Sequence, residues 1–107
     1  MVYVELTFVV PRDKVQEALD GYQRILPWDK ECFEKVGGKL IGCWYTRYGR
    51  LGEITTMLAY PNLDAREKAI QMFTEGAKRH KEVTDWWALT PSVTVRVLLP
   101  ATYSPLQ

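Results

Sequence analysis

Residues 2–9, Val-Tyr-Val-Glu-Leu-Thr-Phe-Val, alternate strictly between two chemistries, and this narrows the fold more than any other feature. Val2, Val4, Leu6 and Phe8 make an apolar series; Tyr3, Glu5 and Thr7 make a mixed one. Successive side chains of a strand point to opposite faces, so this is a strand with one face on a core and the other open. The pattern returns at 92–99, where Val93, Val95, Val97 and Leu99 alternate with Thr94, Arg96 and Leu98. Two half-covered strands at the ends of the chain need something between them that covers only one face.

The middle of the chain supplies it. Pro11 opens a helical segment in which Val15, Leu19, Tyr22 and Leu26 recur at helical spacing, and Pro27 is expected to end or kink it. A shorter helical piece over about 29–36 stops at Gly37-Gly38, a suitable C-cap. Residues 39–48 read as a strand rich in aromatic and β-branched side chains. The short loop Gly49-Arg50-Leu51-Gly52 then joins it to a return strand over 53–60. Asp64 and Glu67 fit a capping arrangement for a second helix. Its stripe is Ala69, Met72, Phe73, Gly76, Ala77, His80 and Val83, and Lys78, Arg79 and Lys81 suit its negative end. The order is β-α-β-β-α-β: one α+β domain over 1–107, ferredoxin-like, with two helices on one face of a four-stranded antiparallel sheet and a tail at 100–107.

Two helices cannot cover both faces of such a sheet. Four Trp, six Tyr and three Phe are a heavy aromatic load, and Tyr3, Trp44, Tyr48 and Tyr60 fall on strands. A monomer with an aromatic sheet face would expose more apolar surface than soluble monomers usually do. The expectation is a homodimer closing sheet on sheet into a barrel, its lumen lined by some of these rings with Glu5, Thr56 and Arg96. A small apolar or aromatic ligand is the other way to cover the face. Fourteen basic against thirteen acidic residues give a net charge of +1, which argues against nucleic acid and anionic membranes as partners. No apolar run is long enough to span a bilayer and the first residues do not read as a signal peptide, so a cytoplasmic location is expected.

Candidate chemistry is sparse. Glu5 and Arg96 lie mid-strand on neighbouring antiparallel strands. They read either as a cross-strand ion pair or as a carboxylate base with an arginine that holds an anion. His80, the single histidine, reads either as a core-edge residue near a helix end or as a general base. Cys32 and Cys43 carry no metal or redox spacing and are expected to be buried and inert. Trp86 and Trp87 read as core or interface anchors. No phosphate-binding loop, nucleophile elbow or metal-ligand spacing occurs, and no cofactor is expected.

Residues 38–67 resemble the central segment of the NIPSNAP family, within the dimeric α+β barrel superfamily. The matching skeleton is Gly42, Gly49-x-Leu51 in the hairpin, a strand ending at Tyr60, and Leu63-x-x-Arg66-Glu67 at the start of a helix. Thr56 stands where the family commonly has a His, and Glu5-Leu6-Thr7-Phe8 replaces its Glu-Leu-Arg motif. The resemblance implies the fold and the dimer. Its first functional implication is a lumen that binds a small apolar or aromatic molecule. A second is a cofactor-independent mono-oxygenase or isomerase acting on aromatic or lactone compounds, with Glu5 or His80 moving a proton. A structural module with a closed lumen is the third.

Overall fold

A computed structural model describes residues 1–77 and 79–107; Lys78, expected among the helix-end cations, lies outside the described residues. The elements are β1 (Val2–Val9), α1 (Val15–Lys35), β2 (Lys39–Tyr45), β3 (Glu53–Tyr60), α2 (Leu63–Ala77), α3 (Lys81–Leu89) and β4 (Ser92–Leu98), with a short 3-10 turn at Arg12–Lys14. All strand pairs are antiparallel and the sheet order is β2-β3-β1-β4, the ferredoxin-like arrangement.

The register sorts side chains between the two faces. Val4, Leu6 and Phe8 of β1 oppose Leu58, Thr56 and Ile54 of β3 and Val97, Val95 and Val93 of β4. These rows form the face on which the helices pack. Tyr3, Glu5 and Thr7 oppose Ala59, Met57 and Thr55 on one side and Leu98, Arg96 and Thr94 on the other, forming the open face. A bulge between Leu40 and Gly42 then sets Gly42 opposite Met57 and Trp44 opposite Thr55.

Helix α1 runs through Pro27 as one element, so of the expected end or kink the end does not occur. Pro27 and Gln23, whose carbonyl the missing N–H leaves free, are both exposed, so water can satisfy that oxygen. Beyond the proline the buried stripe continues through Cys32 and Phe33. The helix ends as Gly37-Gly38 predicts. Gly38 N–H donates to the Phe33 carbonyl at 2.8 Å and Gly37 N–H to Glu34 at 3.0 Å, a Schellman closure with Gly37 at φ +80°.

Other boundaries differ from expectation. Strand β2 stops at Tyr45 instead of reaching Tyr48, and Gly52 (φ +92°) brings its carbonyl within 2.8 Å of Val10 N–H, an approach any side chain would obstruct. The cap of α2 is Asn62, whose Oδ1 accepts from Ala65 N–H at 2.8 Å. The second helix divides: α2 ends at Ala77 and the chain re-enters helix at Lys81, so Trp86 and Trp87 lie on α3 instead of in a connector. Trp86 is buried while Trp87 is exposed, and Cys32 is buried while Cys43 is exposed, which corrects the expectation of two buried thiols. No helix is long and apolar enough to cross a membrane among the described residues.

Candidate functional site

The helices do not close down on the whole sheet. Val4, Leu58 and Tyr60 pack with Phe33 of α1 and Ala65 and Ala69 of α2 into a dense cluster. Toward β4 the cover thins, and Val93, Val95 and Val97 remain 48, 44 and 44% exposed. Between these zones lies a cavity of about 310 Å³, floored by β1 and β3 and roofed by all three helices. Exposed Ile70, Trp87 and Val93 stand at its mouth.

One end of the cavity is aromatic. Trp86 is fixed by its indole N–H, which donates to the Ala18 carbonyl at 2.9 Å, and by Phe8, edge-on at 4.8 Å between ring centroids. Tyr22 lies 5.6 Å from the same ring, and Phe73 meets Trp87 edge-on at 6.2 Å.

The other end is polar. Tyr22 and Asp29, two turns apart on α1, both face the cavity, and the Tyr22 hydroxyl donates to Asp29 Oδ2 at 2.7 Å. Burial raises the Asp29 carboxyl above its ordinary 3.8, and the Tyr22 hydrogen bond offsets only part of that. Burial, then the neighbouring Asp29 charge, pushes the Tyr22 phenol far up, so it stays protonated and keeps donating. Tyr60 is pushed up to about 12 by burial and by the Asp29 charge, with Arg66 acting in the opposite sense. Arg66 also lines the cavity; its side chain is 16% exposed and one guanidinium nitrogen lies 3.3 Å from Glu67 Oε1. The site therefore combines an apolar box with a carboxylate, a guanidinium and two phenols at one end.

The residues singled out from sequence scatter. Glu5 and Arg96 face each other across β1 and β4 on the open face. There Arg96 Nε and Nη2 donate to the Glu5 carboxylate in three hydrogen bonds of 2.9–3.1 Å. Tyr3 is on that face too, buried beneath the tail, its hydroxyl donating to the Gln107 carbonyl at 3.0 Å. Trp44 lies over Gly42 in the space a side chain there would need.

Thr56 and Tyr60, expected with this group, point to the helix face and line the cavity. Their pairing with Leu6 and Val2 puts them in the apolar series of β1. Tyr48 lies beyond the end of β2, 87% exposed, with Arg47 over its ring. His80 precedes α3 and stacks on Trp28 at 5.1 Å, and it does not line the cavity. Asp29 and Arg66, which carry the charge in the cavity, were not identified as site residues from sequence. Asp29 follows Tyr22 by seven residues and Leu26 by three, which is the helical signal that finds it once α1 is allowed to continue past Pro27. Among the described residues no group of three His, Cys, Asp or Glu side chains stands where it could hold a metal ion.

These features define a ferredoxin-like α+β domain with a ligand-sized cavity between its sheet and its helices. Residues 3–105 match the NIPSNAP family, and the chain belongs to that family. It is similar to a NIPSNAP family protein of Agrobacterium tumefaciens, with 25% identity over 99% of this chain and 98% of that one and a TM-score of 0.83. A putative antibiotic biosynthesis monooxygenase from Caulobacter crescentus shares the fold at 13% identity, with 94% of this chain and 89% of that one covered and a TM-score of 0.69. So does a dimeric ferredoxin-like protein from an uncultured marine organism, at 9% identity, the same coverage and a TM-score of 0.67. Among curated proteins none matches this chain.

Proposed function

We propose that this NIPSNAP-family chain is a cytoplasmic homodimer whose cavity binds a small, mainly apolar molecule carrying a hydrogen-bond donor. The observation that carries the reading is Asp29: a half-buried carboxylate lining an apolar cavity of about 310 Å³, accepting one hydrogen bond, from Tyr22, among the described residues. A carboxylate has about four acceptor positions, so most of its capacity is open to a ligand hydroxyl or amine. Ligand pockets commonly run from about 300 to 1,000 Å³, apolar with a few convergent polar groups, and this one fits the lower end. On this reading the site lies inside each protomer, whereas the expectation from sequence places it in the lumen between sheets. The dimer rests on the likeness to a dimeric protein of the same fold and on the uncovered face carrying Trp44. Light scattering should give twice 12.4 kDa, and a clean monomer would remove that part.

Naphthol is a suitable probe, with two apolar rings and one hydroxyl. Fluorescence titration should show saturable binding that Val93→Phe weakens at least about tenfold by narrowing the mouth, as steric loss of a ligand's seat commonly does. Unchanged affinity in Val93→Phe, with the near-UV circular dichroism intact, would place the ligand elsewhere. No binding to the native chain would favour a structural module.

A second reading is an enzyme on aromatic or lactone compounds, favoured by the raised Asp29 carboxyl, a base positioned to take a proton from a bound phenol. Oxygen uptake with a polycyclic phenol that disappears in Asp29→Asn would support it. Uptake that persists in the variant would exclude Asp29 as the base.

A further inference from the structure

The polar end of the cavity holds two opposite charges that do not neutralise one another. Asp29 and Arg66 both line it, as Tyr60 does, yet the ion pair of Arg66 is with Glu67 and the hydrogen bond of Asp29 is with Tyr22. A guanidinium has five N–H donors in a fork that matches a carboxylate. A single contact of 3.3 Å to an exposed Glu67 uses little of that capacity. Asp29 and Arg66 are each half-buried, and partly withdrawing two charges from water without joining them forgoes the Coulomb attraction that offsets desolvation, unless a third group bridges them.

The bridge must offer an anionic oxygen to Arg66 and a donor to Asp29, and its remainder must suit the rings of Phe8, Phe73 and Trp86. The volume is about twice the roughly 150 Å³ that accommodates benzene, room for two fused rings.

We propose that the cavity selects small aromatic hydroxy acids, with the ring system in the aromatic end, the carboxylate on Arg66 and a hydroxyl meta to it, free of any internal hydrogen bond, donating to Asp29. This rests on the cavity being the ligand site. It adds that recognition requires both polar groups of the ligand at once.

The test compares three probes by fluorescence titration: meta-hydroxynaphthoate, naphthol without the acid, and naphthoate without the hydroxyl. Meta-hydroxynaphthoate should bind about tenfold to a hundredfold tighter than naphthol, as for a charge-assisted hydrogen bond to Arg66. Arg66→Gln should abolish that advantage while leaving naphthol within about twofold, and Arg66→Lys should restore only part of it, because a point charge lacks the fork. Asp29→Asn should weaken the two hydroxylated probes and spare naphthoate. Thermal melts of each variant separate a lost contact from a lost fold.

Equal affinity for naphthol and meta-hydroxynaphthoate, both still weakened by Val93→Phe, would overturn the selectivity and leave the cavity reading standing. A loss in Arg66→Gln that is the same for all three probes would overturn it as well. Failure of every probe to bind the native chain would overturn both.

Discussion

Two acid–arginine combinations sit on opposite faces of the same sheet, and they have opposite fates. On the open face Glu5 and Arg96 are directly opposed across β1 and β4 and close on each other in three hydrogen bonds. On the helix face Asp29 and Arg66 come from two helices, share a cavity and bond to other partners. The first pair has spent its capacity on itself, beside solvent, with the Arg96 side chain 61% exposed. The second has not, and it is held where each unmet hydrogen bond counts for more. Charge in a strand register reports on how a sheet is knit. Charge held apart in an apolar cavity reports on what the fold leaves room for.

The largest effect should come from the aromatic wall of the cavity that the second pair lines. Trp86→Ala removes a buried indole, its bond to the Ala18 carbonyl and its contacts with Phe8 and Tyr22. Loss of a core Trp typically costs about 3–5 kcal/mol, and urea unfolding should find that range here. The Glu5–Arg96 pair does not touch this ring, so the loss should be the same in the background of Glu5→Gln. Appreciable coupling between the two would mean that the faces are not independent.

Ligand affinity separates the pairs next. Replacing either Asp29 or Arg66 should cost meta-hydroxynaphthoate about tenfold or more, whereas Glu5→Gln and Arg96→Gln should leave it within about twofold, since only the first pair lines the cavity. A loss at Glu5 matching that at Asp29 would return the site to the open face.

Asp29 should also mark stability with pH. Its carboxyl is raised, so the native state holds that proton more tightly than the unfolded chain, where the ordinary value is 3.8. The group then favours folding most below that value, and the favour is lost as pH rises through the raised one. Asn cannot ionise. Asp29→Asn should therefore be more stable than the native chain at neutral pH, with the gain shrinking in acid below the ordinary carboxylate value. Arg66, Tyr22 and Tyr60 share the site, and neither phenol ionises near neutrality. Urea midpoints at the two pH values test it; a variant less stable at neutral pH would make Asp29 a structural acceptor and not a retained functional one.

The contrast between the faces was only half legible in the sequence. Strict alternation in 2–9 and 92–99 announces two half-covered strands, and their antiparallel pairing makes Glu5 and Arg96 neighbours before any coordinates are known. Strand β3 gives no such help. Ile-Thr-Thr-Met-Leu-Ala-Tyr mixes polar and apolar residues in both parities, so only its pairing with β1 decides that Thr56 and Tyr60 go under the helices. Tyr48 misleads through composition, because an aromatic run looks like strand until the chain turns away after Tyr45.

The cavity was hidden by one local rule. Proline usually ends a helix, so reading Pro27 as a boundary took Asp29 out of phase with Tyr22 and out of consideration. Arg66 stands in the sequence as a family position and as a helix residue, but no one-dimensional pattern says that α2 turns it into a cavity that α1 also lines. Tertiary packing overrides the proline and brings the two helices together.

The smallest effect belongs to the pair that was easiest to see. Glu5 and Arg96 form a forked contact, better than most surface pairs, but the arginine lies largely in water and salt screens it. Glu5→Gln should cost no more than about 1 kcal/mol at low salt, and the cost should fall as ionic strength rises beyond the Debye regime of about 0.1 M. Gln keeps an acceptor for Arg96, so the remaining hydrogen bond should hold the strand register, and amide exchange along β1 and β4 should change little. The measurement is a double-mutant cycle with Arg96→Gln in low and high salt. A coupling well above 1 kcal/mol that persists in high salt would mean that the pair is shielded from water in solution. A second subunit closing over the open face would shield it in that way, and light scattering on the same samples would show whether one is there.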